Sequence, residues 1–201
     1  MREKIILNAS DLFLTYGFKS VTMDDISNAM GISKKTIYQH FNNKTDLVEA
    51  TTLSLFELIS HGIDQICALE NCPIEEIYDI KQFVMKHLKD EKSSPQYQLQ
   101  KYYPQICATL KDKQFNVMHS CVIKNLERGI HLNLYRDNIN PEFIARIYFS
   151  GMTAIKDKDL FSNDKFSIKM LMGNFLEYHL RGICTPEGIK KLNKVINKKQ
   201  I

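Results

Sequence analysis

The chain has 201 residues, of which 44% are hydrophobic and 25% charged, the composition of a globular protein with a core of its own. Its formal net charge of +4 allows nucleic-acid binding without requiring it. No apolar run approaches the roughly 20 residues of a membrane span, and the amino terminus is not the continuous apolar segment of a secretion signal. We therefore expect a cytoplasmic protein with no membrane partner.

The first part of the chain predicts three short helices joined by tight turns. Apolar residues recur at helical spacing up to Gly17, a residue type common just after a helix. Thr22 is suited to cap a second helix, and Gly31 is suited to end it. Ser33 can then cap a third helix almost at once. This order of helix, tight turn with glycine and helix is the pattern of a helix-turn-helix.

The third helix has few apolar residues and many hydrogen-bond donors. Ile37 and Phe41 lie four residues apart, on the one face that can be buried. Lys34, Lys35 and Gln39 match the edges of DNA bases, while the hydroxyl and imidazole groups around them suit phosphates. We therefore predict DNA contacts by Thr22, Ser33, Lys34, Lys35, Thr36, Tyr38, Gln39, His40 and Lys44.

Each of these predicted contacts has an alternative. Tyr38 could pack against the side of the module, and His40 could cap the end of the helix. Lys34 and Lys35 could be ordinary solvated charges. Cations and acids nearly balance over residues 1–47, so the positive charge must gather on one face if the module is to bind DNA.

Asn43 is suited to cap a long fourth helix, whose apolar stripe continues to Leu69. Such a helix would join the small module to the rest of the chain without a flexible linker. We predict a helix-turn-helix DNA-binding domain at residues 1–47 and a helical regulatory domain, for ligand binding and dimerisation, at residues 48–201.

Prolines in the second domain indicate where its helices begin or break. Four of them follow plausible breaks and predict helix starts: Pro73, Pro95, Pro141 and Pro186. Three of these directly follow a residue that can cap a helix, namely Ser94, Asn140 and Thr185. Pro104 falls inside a helical pattern and should kink or split it. Strand-like alternation of any length is missing from the sequence, so we predict an all-α fold.

Two late helices have broad apolar stripes, which suit an interface between identical subunits. The alternative is that these stripes only complete the core of a monomer. We predict that the homodimer interface is formed by Ile144, Ile147, Tyr148, Gly151, Ile168, Leu171, Met172, Phe175, Leu176 and His179.

Aromatic and methionine side chains are frequent in the second domain, and such residues can line an adaptable, mostly apolar pocket. The same residues at helical spacing are often plain core. We expect any pocket near the break at Pro104, and its ligand cannot be identified from the sequence. The predicted lining residues are Phe56, Phe83, Tyr102, Tyr103, Phe115, Met118, Phe149 and Met152.

Five cysteines, scattered along the chain, predict reduced thiols and no disulfide framework. A redox-sensing pair of Cys67 and Cys72 is the alternative to buried structural thiols.

Five lysines lie between positions 190 and 199 with no acid after Glu187. They predict a solvated, fraying tail, and the alternative is a second nucleic-acid contact.

The sequence contains no recognisable catalytic motif, glycine-rich phosphate loop or metal-binding spacing. We therefore predict no cofactor, no metal site and no enzymatic activity. Two alternatives stay open, a helical DNA-binding adaptor controlled by a protein partner and an enzyme whose site is assembled only in space.

Seventeen residues of the amino-terminal quarter of the chain form one pattern of order and spacing: Ala9, Leu12, Phe13, Gly17, Phe18, Val21, Thr22, Asp25, Ile26, Gly31, Ser33, Thr36, Tyr38, His40, Phe41, Lys44 and Leu47. In this pattern the chain closely resembles the TetR family of bacterial transcriptional repressors. Lys35 departs from the family pattern, since many members have a small residue there.

The resemblance implies an all-helical homodimer with nine or ten helices per subunit and a ligand pocket in its carboxyl-terminal domain. It also implies a function, that of a ligand-responsive repressor of a palindromic, double-stranded DNA operator. In the family, a small-molecule effector typically moves the fourth helix, changes the spacing of the two DNA-binding heads and releases the operator.

Overall fold

The computed structural model describes residues 1–88, 95–157, 159–162 and 165–199. Within these ranges the chain forms ten α-helices and no β-strand, which confirms the predicted all-α class. Among these described helices, none combines the length and the hydropathy that a membrane span requires. The helices are α1 (Arg2–Tyr16), α2 (Met23–Met30), α3 (Lys34–Tyr38), α4 (Lys44–Ala68), α5 (Pro73–His87), α6 (Pro95–Tyr102), α7 (Pro104–His131), α8 (Pro141–Ala154), α9 (Ile168–Ile183) and α10 (Pro186–Lys199).

The four prolines predicted to start helices are the first residues of α5, α6, α8 and α10. Asn140 caps α8, because its Oδ1 accepts the backbone N–H of Phe143 at 3.0 Å. Thr185 caps α10 in the same way, through a 3.0 Å hydrogen bond from the N–H of Gly188. Ser94 lies outside the described residues.

Pro104 splits a helical pattern, as predicted: α6 ends at Tyr102 and α7 begins at Pro104. The backbone stays hydrogen-bonded across this break. The N–H of Tyr103 donates to the carbonyl of Leu99 at 2.8 Å, and the carbonyl of Tyr103 accepts the N–H of Cys107 at 3.0 Å. Two carbonyls beside the break are therefore satisfied by the chain itself.

The chain divides into two compact units. The first unit comprises Met1–Ser60 with Met85–Gln114, and the second comprises His61–Val84 with Phe115–Ile201. Helices α4, α5 and α7 each contribute residues to both units. The functional boundary after residue 47 stays a prediction.

In the first unit, the three short helices share one core with later parts of the chain. Ile5, Ile26 and Leu47 are fully buried there, and Leu99 of α6 and Leu110 of α7 belong to the same cluster. Burying a side chain of this size stabilises the fold by about 1.5–3 kcal/mol. The amino-terminal module is therefore held by α6 and α7 as well as by its own helices.

In the second unit, α10 packs on the core. Leu192 is fully buried and Val195 is 3% exposed, so one face of the helix is inside. Lys191 also forms an ion pair with Glu75 at 2.9 Å. The prediction of a fraying tail is therefore wrong, because Leu192 and Val195 lie three residues apart and form an apolar face that the lysine count obscured.

A buried polar cluster joins α5 to α7 in the second unit. The side chain of Glu76 is only 1% exposed, and Arg128 donates to its Oε2 at 2.8 Å. Asn125 donates to Oε1 of Glu76 at 2.7 Å, and the hydroxyl of Tyr135 donates to Oδ1 of Asn125 at 3.1 Å. These partners satisfy a buried charge that would otherwise be costly.

Replacing Arg128 with methionine should lower the free energy of unfolding by about 3 kcal/mol, because the Glu76 charge would stay buried without its cation. Denaturant unfolding at pH 7 measures this change. The control is Lys190→Met, which removes an exposed ion pair with Glu187 and should change the same quantity by less than about 0.5 kcal/mol. Equal losses in the two variants would contradict a structural role for the buried pair.

Candidate nucleic-acid interface

The second helix begins with a capping box. The hydroxyl of Thr22 accepts the backbone N–H of Asp25 at 3.1 Å, and Oδ2 of Asp25 accepts the backbone N–H of Thr22 at 2.8 Å. These hydrogen bonds from Thr22 lower the pKa of Asp25. Gly31 ends the helix in the left-handed region, at φ 63°, and so turns the chain toward α3. The predicted caps of α2 are thus confirmed.

The third helix is fixed at its start and along one face. The hydroxyl of Ser33 accepts the N–H of Thr36 at 3.1 Å, as the sequence predicted for a cap. Ile37 is fully buried and Phe41 is 4% exposed, so both anchor the module in the core of the first unit. The opposite face of α3 remains for other contacts.

That opposite face presents several of the predicted DNA contacts to solvent. Lys35, Gln39 and His40 are exposed, and in the described part of the chain their side chains have no hydrogen-bond or ion-pair partner. Tyr38 is 46% exposed. These four side chains present an ammonium, an amide, an imidazole and a phenol, all able to donate to phosphate or base-edge acceptors.

Lys34 has a partner within the module. Its Nζ lies 2.9 Å from Oδ2 of Asp24, in the first turn of α2. The hydrogen bond from Lys34 to Asp24 raises the pKa of the lysine. Both side chains are exposed, so the pair contributes little to stability and a DNA acceptor can displace the carboxylate. Sequence spacing did not show this pair, because its members lie ten positions apart on two helices.

Lys44, predicted to contact a phosphate, lies at the first position of α4 with its ammonium turned inward. Its Nζ donates to the backbone carbonyl of Lys19 at 3.4 Å and lies 6.0 Å from the ring centroid of Phe13. Burial lowers the pKa of Lys44, and the nearby carboxylate of Asp25 opposes that shift. Its backbone position is set by Asn43, whose Oδ1 accepts the N–H of Asp46 at 2.9 Å.

The residues predicted to line a ligand pocket are divided between the two units. Phe56 and Tyr103 pack against the core of the first unit, where Tyr103 lies edge-on to Phe18 at 6.2 Å. Tyr102 also belongs to the first unit, where Nζ of Lys19 lies 5.3 Å from the centroid of its ring. The others belong to the second unit: Phe83, Phe115, Met118, Phe149 and Met152.

Within the second unit, one predicted pair of aromatic residues does meet. The rings of Phe115 and Phe149 are 5.1 Å apart in an edge-to-face arrangement, and the guanidinium of Arg146 lies 5.4 Å from the ring centroid of Phe115. Nearby, Nε2 of His119 is 2.7 Å from Oε2 of Glu142. The sequence predicted the aromatic residues but not the charged groups beside them.

Several predicted interface residues are already buried within the single chain. Leu171, Met172, Leu176 and His179 are each less than 9% exposed, whereas Ile147 is 47% exposed. The half-buried positions of the predicted set are Ile144, Tyr148, Gly151, Ile168 and Phe175. The sequence missed three exposed apolar residues on the same two helices, Phe143, Met170 and Tyr178.

Gly151 lets α8 and α9 approach closely, as predicted, because a Cβ there would lie 2.2 Å from the ring of Phe175. The imidazole of His179 stacks on the ring of Phe175, with ring centroids 5.9 Å apart, and lies tilted against the ring of Tyr148, with centroids 5.0 Å apart. Burial lowers the pKa of His179 to about 4, so the imidazole is neutral at pH 7. These rings behave as apolar packing groups.

Among the described residues, no three His, Cys, Asp or Glu side chains are grouped so that they could hold a metal ion.

The amino-terminal part of the chain matches a known family. Residues 5–51 match the model of the bacterial regulatory proteins of the tetR family. The chain is also 31% identical over 90 residues to IcaR of Staphylococcus aureus, a negative transcriptional regulator of the biofilm operon icaADBC. This match covers 45% of this chain and 47% of IcaR, so the chain spans about half the length of the curated relatives it matches.

Solved structures share the fold over most of the chain. A transcriptional regulator from Cytophaga hutchinsonii has a TM-score of 0.71 at 18% identity, covering 91% of this chain and 98% of that one. SmeT, the repressor of the Stenotrophomonas maltophilia multidrug efflux pump SmeDEF, has a TM-score of 0.67 at 15% identity, covering 92% and 91%. At these identities the likeness shows the fold alone.

Replacing Asp24 with asparagine should strengthen binding to any DNA duplex about threefold or more at low salt. The change frees Lys34 and removes a negative charge next to it. Titration of labelled duplex at several salt concentrations measures the effect. Asp137→Asn, an exposed acid of the second unit, is the control and should leave affinity unchanged. Unchanged or weaker binding by the Asp24 variant would contradict a contact between Lys34 and DNA.

Proposed function

We propose that this chain, a member of the TetR family of bacterial regulatory proteins by its residues 5–51, is a transcriptional repressor that binds a palindromic operator as a homodimer. The proposal rests on the outer face of α3 and the turn that follows it, where Lys35 and Tyr38 of the helix and Gln39 and His40 directly after it stand exposed. Ile37, on the inner face of the helix, anchors it in the core. A helix of this kind, following a tight glycine turn, suits the major groove of DNA.

The side chains divide by role in this proposal. Lys34, Lys35 and Gln39 read base edges, because lysine suits the guanine edge and glutamine the adenine edge. Phosphates are bound by hydroxyl, imidazole and ammonium donors, which position the module without choosing a sequence. The proposed phosphate-binding residues are Thr22, Ser33, Thr36, Tyr38, His40 and Lys44.

Repression is proposed from the relatives and from the placement of the contacts at the helix-turn-helix. IcaR is a negative transcriptional regulator, and SmeT is the repressor of an efflux pump. Both are regulators and not enzymes, which supports a regulatory role for this chain. A repressor needs only to occupy its operator, and the described surface of α3 is suited to that task.

Dimerisation is proposed because one module carries little net charge. Over residues 1–47 six cations face five acids, and Lys34 and Asp24 pair with each other. Two linked modules bind more tightly than one, since the second contact is intramolecular. The exposed apolar residues of α8 and α9, including Ile147 and Tyr178, are the surface through which a second copy would pack.

Control by a small molecule is the remaining part of the proposal. The aromatic residues Phe115 and Phe149, with Arg146 and the His119–Glu142 pair beside them, offer apolar faces next to polar groups. Helix α4 begins at Lys44, next to the proposed DNA contacts, and also contributes residues to the second unit, so we propose it as the element through which a ligand there would act on DNA binding. The second candidate is an adaptor whose effector is a protein, and a ligand screen with operator release as its readout separates the two.

Lys44→Ala should weaken binding to all DNA sequences and reduce the slope of log affinity against log salt by about 1, because one phosphate contact is lost. Lys35→Ala should instead change the preferred base at one position of each half-site. Selection from a random DNA library, followed by titration at several salt concentrations, measures both effects.

The control for both variants is Lys190→Ala, an exposed lysine on α10. It should change neither the salt slope nor the preferred sequence. If the Lys44→Ala variant binds DNA as tightly as the parent at every salt concentration, the proposed contact between Lys44 and a phosphate is wrong. If Lys35→Ala selects the same sequence as the parent, Lys35 is a solvated charge.

Ile147→Glu should yield monomers, because it places a charge on a residue that is 47% exposed in the single chain. Because this position is exposed, the substitution should leave the fold of the single chain intact. Sedimentation velocity measures the mass. Leu132→Glu is the control, since Leu132 is 54% exposed outside the two helices and should leave the assembly intact. Dimers that persist in the Ile147 variant would contradict this interface.

A further inference from the structure

Two cysteines from different helices meet in the second unit. Cys67 lies in the last turn of α4 and Cys121 lies within α7, 54 positions later. Their Sγ atoms are 3.1 Å apart, and both side chains are half-buried. The sequence suggested Cys72 as the partner of Cys67 in a redox pair, but the structure places Cys121 beside it.

The contact between the two thiols shifts their pKa values in opposite directions. The hydrogen bond with Cys121 lowers the pKa of Cys67, although burial and the carboxylates of Glu76 and Asp64 oppose this shift. The same hydrogen bond, together with burial, raises the pKa of Cys121. Cys67 is therefore the stronger nucleophile of the pair, and Cys121 is the thiol that keeps its proton.

Two other cysteines, Cys107 and Cys184, do not have a lowered pKa. Burial raises the pKa of Cys107, and it raises the pKa of Cys184 to about 11. Both thiols are therefore protonated and unreactive at pH 7. The pair of Cys67 and Cys121 is thus distinguished by the contact between its sulfurs as well as by the lowered pKa of Cys67.

We propose that Cys67 and Cys121 form an oxidation site, at which a peroxide converts the two thiols into an intrachain disulfide between α4 and α7. The thiolate of Cys67 attacks one peroxide oxygen, the O–O bond breaks, and Cys67 becomes a sulfenic acid. The hydroxide that leaves takes up the proton released by the Cys67 thiol and becomes the first water. The sulfur of Cys121 then attacks the sulfur of Cys67. The S–O bond breaks, and hydroxide leaves with the proton of Cys121 as water. Two thiols and one hydrogen peroxide thus give one disulfide and two waters.

The geometry favours this step over other fates of the sulfenic acid. The sulfurs must close only from 3.1 Å to the roughly 2.05 Å of a disulfide bond. Because so little movement is needed, the bond would hold the last turn of α4 against α7 in the arrangement already present. Neither cysteine is among the proposed DNA contacts, so the inference goes beyond the proposed function and does not depend on it.

The test is oxidation of the purified full chain with a few equivalents of hydrogen peroxide, followed by alkylation of the remaining thiols. Digestion with trypsin and a glutamate-specific protease separates the three relevant cysteines, because Glu70 lies between Cys67 and Cys72 and Lys113 precedes Cys121. Mass spectrometry without reduction should find the peptide 58–70 linked to the peptide 114–124. The melting temperature should rise by roughly 5 °C or more, because the bond closes a long loop.

Two variants serve as controls. Cys121→Ser should lose the linked peptide and the rise in melting temperature, while Cys67 goes on to sulfinic acid. Cys107→Ser should keep both effects. The peptide assay uses the unsubstituted chain, so it decides the question even where a variant does not fold. A link between Cys67 and Cys72, a bond between two chains, or a sulfinic acid at Cys67 beside a reduced Cys121 would overturn the proposal.

Discussion

The helix that presents the proposed DNA contacts has five residues, and it has no stability of its own. Isolated helices shorter than about 12 residues are marginal in water. Helix α3 must therefore be held from outside, by the Ser33 hydroxyl at its start and by Ile37 and Phe41 in the core. That core extends to Leu99 and Leu110, so helices distant in sequence also support α3. Because two apolar residues anchor it, the remaining positions are available for polar contacts.

Contacts that lysines make within the module limit the affinity of one module for DNA. Lys34 is paired with Asp24, and the ammonium of Lys44 is turned toward the carbonyl of Lys19. Both lysines must leave these partners to reach DNA, and the exposed pair gives way at little cost. With six cations against five acids over residues 1–47, a single module would bind DNA weakly and in a salt-sensitive way. This is the physical reason that the proposed function requires two copies of the chain.

The features that the sequence predicted well are governed by residues close together in the chain. The caps at Thr22, Ser33 and Asn43 and the split at Pro104 follow from rules that act within one helical turn. The polar interactions that it missed join distant residues, including Lys34 with Asp24, Arg128 with Glu76 and Cys67 with Cys121. One sequence contains no spacing signal for such pairs, because they form only when helices pack. For the same reason, the predicted ligand residues divide between two units.

We propose that the exposed face of α3 reads a symmetric DNA site in two copies. The most direct measurement is selection of bound fragments from genomic DNA by the purified chain, followed by sequencing. We expect an enriched palindrome whose two half-sites keep one fixed spacing, as two related modules would impose. Enrichment of a single half-site without a symmetric partner, or no enrichment above bulk DNA at low salt, would contradict it.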